Sequence, residues 1–124
     1  MIIDSLKLDR VYIGMVKKIF YTGGKYSSIT IYVEIPTPFG TKRINKTYYL
    51  KGDWKASYIK ALEATINRVI DFKPIENLID RGLISEIPGY MSKLIRHKVE
   101  VLKTTSYNKE YIQLTIKDDC VDLF

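Results

Sequence analysis

The sequence predicts a mainly β domain of the β+α kind: five strands in the order β-β-β-α(α)-β-β, curled into a small barrel. Three observations predict it. Apolar and polar residues alternate in both the first and last thirds of the chain. The apolar period lengthens from two to about 3.6 in the middle, and turn residues punctuate nearly every change. With 124 residues, 46% of them hydrophobic and 27% charged, the chain suits one globular domain that buries a core without staples.

Residues 11–21 (VYIGMVKKIFY) are rich in β-branched and aromatic side chains and form the first strand. Gly14 inside it marks a bulge or sharp bend. The run Thr22-Gly23-Gly24-Lys25 is a turn. Residues 26–35 (YSSITIYVEI) form the second strand, with Ile29, Ile31, Val33 and Ile35 facing the core and Ser28, Thr30, Tyr32 and Glu34 facing out. Pro36, Pro38 and Gly40 break it. Residues 42–50 (KRINKTYYL) form the third, with Ile44, Tyr48 and Leu50 on one face and Arg43, Asn45, Thr47 and Tyr49 on the other.

Asp53 then reads as a helix N-cap. Trp54, Tyr58, Leu62, Ile66 and Ile70 recur at four-residue steps, one apolar stripe of an amphipathic helix with Trp54 expected in the core. Pro74 opens a shorter helix that Gly82 ends. After Pro88-Gly89, YMSKLI makes one more helical turn. The fourth strand is residues 97–102 (HKVEVL), a polar turn spans 104–109 (TTSYNK), and the fifth strand is residues 110–116 (EYIQLTI), with Ile112, Leu114 and Ile116 inward. Tyr12 and Tyr48 are expected in or beside the core.

Five strands with a helical insertion between the third and fourth match the five-stranded OB-fold barrel, the helix plugging its open end. A plain α+β sandwich is the rival architecture. The domain is taken as residues 1–117, followed by an acidic tail, residues 118–124.

The formal net charge is +6, unevenly spread. Residues 1–60 hold eleven Lys/Arg against four Asp/Glu, and residues 91–117 six against two, whereas the helical middle and the tail are acidic. Basic charge on the strands suits a polyanion, because each neutralised phosphate releases counterions. In a barrel of this kind ligand lies across strands two and three and between the loops that join strands one to two and four to five. Those surfaces carry Lys17, Lys18, Tyr21, Lys25, Tyr26, Tyr32, Lys42, Arg43, Lys46, Tyr49, Tyr107, Lys109 and Tyr111, the candidate nucleic-acid contacts. Rings stack on bases and lysines follow the phosphates of a single strand. Duplex DNA calls for a basic recognition helix, and the long helix mixes Lys55, Lys60, Glu63, Asn67 and Arg68 instead.

The strand order, the glycine-bearing first strand, the hairpin HKVEVL…SYNKEYIQLTI and the acidic end closing on Phe124 resemble single-stranded DNA-binding proteins of phages and archaeal viruses. That resemblance implies a role in replication, recombination or repair. It also implies that Asp118, Asp119, Asp122, Leu123 and Phe124 recruit replication or repair proteins, as the acidic tip ending in Phe does in that class. This tail has fewer acids than the usual tip, and Cys120 interrupts it.

One histidine, one cysteine and no Gly-rich phosphate loop argue against a zinc site, a hydrolase triad or nucleotide hydrolysis. The chain is therefore expected to be no enzyme and to need no metal or cofactor. A lone cysteine and the absence of an apolar run long enough to span a bilayer lead to the expectation of a cytoplasmic protein, in a host cell if viral, with no membrane contact. The alternative function is a small viral protein that inhibits a host complex. RNA in place of DNA, and a homodimer through an edge strand, are left open by the sequence.

Overall fold

The structure is a computed structural model, and it describes residues 6–120. Three strands come first: β1 (Val11–Thr22), β2 (Ser28–Thr37) and β3 (Gly40–Tyr49). A helical segment follows: α1 (Lys55–Ile66), α2 (Lys73–Asp80) and α3 (Ile87–Met91), the last flanked by 3-10 turns at Ile84–Glu86 and Ser92–Leu94. A hairpin, β4 (His97–Ser106) and β5 (Lys109–Cys120), completes the described chain. No helix among the described residues is long and apolar enough to cross a membrane.

The five strands form one antiparallel sheet in the order β3-β2-β1-β4-β5. β1 is the spine. Its first part, Val11 to Met15, pairs with β4, and Met15 onward pairs with β2. The change of partner coincides with a register shift between Val16 and Lys18, a bulge that bends the strand. Gly14 serves a different end from the bulge expected there: it lets another strand come close. A Cβ on it would sit 2.7 Å from the Glu34 carbonyl oxygen and 2.8 Å from Val33 Cγ1. The sheet therefore folds over itself at Gly14. It does not close, however, since no ladder joins β3 to β5 and these remain its two edges. The expectation of a barrel is met only as far as a curled five-stranded sheet.

The core lies inside that curl. Ile29, Ile31, Val33 and Ile35 of β2 are fully buried, as the alternation requires. They meet Tyr48, Leu50, Val99, Val101, Leu114 and Ile116 from other strands and Leu62, Ile66, Ile75, Ile87, Met91 and Leu94 from the helical segment. Removing one such side chain, for example Ile31→Ala, costs about 2–5 kcal/mol. Tyr48 is buried and Tyr12 packs partly buried against the cluster.

Several boundaries depart from the sequence reading, each for a local reason. α1 starts at Lys55 with Trp54 in the cap position and no side-chain cap bond, so Asp53 does not cap it. It stops at Ile66, short of Ile70. α2 ends as read: Gly82 adopts φ +72°, and its N–H and that of Leu83 bond back to Ile79 and Leu78 in a Schellman closure. The β4–β5 connection is far tighter than the six-residue turn expected. The strands reach Ser106 and Lys109, leaving Tyr107 and Asn108 as a two-residue turn with φ +51° and +63°. At the far end β5 runs on through Cys120, so Asp118 and Asp119 belong to the strand rather than to a tail. Asp122, Leu123 and Phe124 lie outside the described residues.

Candidate nucleic-acid interface

The seam between the two sheet edges is where chemistry gathers. α1 packs against both β3 and β5, bridging the strands that no ladder joins. Beside it runs a groove of about 730 Å³, walled by Lys46 and Tyr48 of β3, Trp54, Ser57 and Tyr58 at the head of α1, and Lys109, Tyr111 and Gln113 of β5. No Asp or Glu lines it among the described residues.

Each wall follows from local sequence. Lys46 sits on the inward face of β3, between Ile44 and Tyr48, because the strand alternates. Opposite it in the ladder is Ile31, so its stem lies on apolar surface and its ammonium lies 5.7 Å from the centre of the Tyr48 ring. Burial lowers the Lys46 pKa from its ordinary value, since the charged form loses water without gaining a carboxylate. No ion pair forms at Lys46 or Lys109 among the described residues. The Tyr48 hydroxyl lies 2.8 Å from Thr65 Oγ1, which itself donates to the Ala61 carbonyl; the chain of donors runs from Tyr48 to Thr65 to Ala61. Burial raises the Tyr48 pKa above the ordinary tyrosine value, so its phenol stays neutral.

Trp54 overturns the core assignment. It is 76% exposed, because α1 begins one residue later and the head of the apolar stripe overhangs the seam instead of entering the interior. Tyr58, next on the stripe, is half-buried and meets Tyr49 edge-on, ring centres 5.3 Å apart at 74°. Tyr111 is exposed on the β5 wall. The groove therefore joins three of the residues picked from the sequence, Lys46, Lys109 and Tyr111, with others not picked, among them Trp54, Tyr58 and Gln113.

The other candidates fall into separate groups. On the outer face of β1, β2 and β3, Lys17 and Arg43 both pair with Glu34, at 3.8 and 3.3 Å, and Tyr32 is half-buried. Lys42 is half-buried on the inward face of β3, opposite Ile35. Lys18 covers the Phe20 ring at 5.5 Å. Tyr21, Lys25 and Tyr26 are exposed around the β1–β2 connection. That connection lies at one end of the sheet and the β4–β5 turn at the other, because β1, β3 and β5 run parallel to one another. Tyr107 projects from the tip of its turn, 95% exposed.

At the end of the last hairpin, Asp119 pairs with Lys98 at 2.9 Å, and Cys120 Sγ lies 3.8 Å from His97 Nδ1. No three His, Cys, Asp or Glu side chains gather as a metal site would require among the described residues. Set against known proteins, the chain matches no family model and no curated protein sequence.

Proposed function

We propose that this chain binds single-stranded nucleic acid, DNA in the first place, with little sequence preference and without catalysis, and that the seam between β3, α1 and β5 is where the strand lies. One observation carries the reading: exposed or half-buried rings of Trp54, Tyr58 and Tyr111 share an acid-free groove with two lysines that have no anionic partner there. Rings of this kind take bases of any sequence, and lysines take the phosphates between them. A half-buried ammonium with no carboxylate gains most from a phosphate, since the ligand restores what desolvation removed.

The architecture supports the same reading. A spine strand with a ladder on each edge is how a five-stranded Greek-key barrel begins to close, and the open seam gives such an OB-like barrel its cleft. The role in replication, recombination or repair rests on the likeness to phage and archaeal viral proteins described above.

The test is a fluorescence-anisotropy titration with labelled oligo-dT across a range of salt. The expected result is saturable binding that weakens steeply as salt rises, with oligo-rU as competitor measuring the preference for DNA. Absence of binding at low salt would end the reading and favour an inhibitor of a protein complex.

A further inference from the structure

We infer that the bound strand does not end in the seam but turns past the head of α1 into a second cavity, where Lys51 and Lys55 hold its next phosphates. This rests on the single-strand reading above. Nothing in the sequence pattern pointed to either lysine.

The second cavity, of about 260 Å³, is lined by Tyr21 and Ser27 of the β1–β2 connection, by Lys51 and Lys55, and by Asp80 and Ser85 from the helical segment. It adjoins the seam through the chain itself. Trp54 lines the first cavity and Lys55, the next residue, lines the second. Lys51 and Lys55 are exposed and enter no ion pair among the described residues.

The edge of the second cavity repeats the ring-and-cation theme. Lys25 covers the Tyr26 ring at 5.3 Å. Tyr26 in turn lies against Gly52, where a Cβ would meet the ring at 3.2 Å. The β1–β2 connection is thus held beside Lys51. Tyr26 and Lys25 add a ring and a cation beside Lys51. Asp80 is the one acid on the cavity wall and opposes an incoming phosphate. It supplies a change of the opposite sign.

The experiment compares an oligo-dT of about four nucleotides, enough for the seam, with one of about twelve, enough for both cavities. Wild-type protein should bind the longer oligomer more tightly and with a steeper salt slope. The double variant Lys51→Gln, Lys55→Gln should bind the short oligomer within about twofold of wild type. It should lose about tenfold on the long one, its salt slope shallower by about 1.4, two phosphates at about 0.7 each. Asp80→Asn should tighten the long oligomer alone. Thermal melts of both variants confirm folding. Equal losses on both oligomers, or no loss on the long one while Trp54→Ala still weakens binding, would overturn the second cavity and leave the seam standing. No binding of either oligomer by wild type would remove both.

Discussion

Two basic regions of this molecule look alike in sequence and differ in structure. On the outer face of β1, β2 and β3, Lys17 and Arg43 converge on Glu34, which answers both cations across the ladder. In the seam, Lys46 and Lys109 share space with four rings and no acid among the described residues. The first region satisfies itself. The second, among the described residues, holds no acid to answer its lysines. Positive charge alone therefore says little about where a polyanion sits. What distinguishes a site is charge that the fold has left unanswered at some cost.

The largest test of that contrast is removal of the rings. The double variant Trp54→Ala, Tyr111→Ala should weaken oligo-dT binding on the order of 100-fold, each ring contributing about 1–3 kcal/mol, with a melting temperature close to wild type. Retained affinity would show that the seam is not where bases stack. Lys46→Met comes next. It should cost about tenfold in affinity and lower the salt slope by about 0.7, while its melting temperature holds or rises. A fall in both affinity and stability would recast Lys46 as a structural residue.

The pH dependence sharpens the same point. The folded-state pKa of Lys46 lies below its ordinary 10.5 because burial penalises the charge. Affinity should therefore begin to fall at a pH below 10.5, and Lys46→Arg should remove that early loss. The stability linkage has the opposite sense. The unfolded chain binds this proton more tightly, so the residue's cost to folding is full below the lowered pKa and fades as pH rises through it.

Changes outside the seam should be small. Lys17→Ala with Arg43→Ala should alter affinity by less than about twofold and stability by no more than about 1 kcal/mol, as exposed pairs do. Tyr107→Asn should raise stability by about 0.5–1 kcal/mol. A tyrosine at φ +51° is strained, and asparagine takes that conformation more readily. Urea melts of the two variants check both values.

Much of the fold was legible because it rests on local alternation. The inward set of β2, the pair Val99 and Val101, and the stripe through Leu62 and Ile66 all lie where periodicity puts them. What escaped depends on contacts between distant residues. Gly14 reads as a bulge in isolation, yet its meaning is the approach of Glu34 and Val33, twenty positions away. Trp54 fits the helical stripe, yet α1 begins one residue later and leaves its ring outside the core. Part of the seam was visible as Lys46, Lys109 and Tyr111. The signal that would have added Trp54 was its place at the first turn, where a stripe can overhang the layer it packs on.

Gly14 carries one consequence further. β1 is the middle strand of the sheet, with two strands to either side, so it lies across the curl from the seam. The missing side chain of Gly14 is what lets the backbone of β2 lie so close at Glu34. A methyl group at this buried position would force β2 to shift at Val33 and Glu34, neither of which lines the cleft, so the hinge of the sheet can be perturbed without altering the cleft's own side chains.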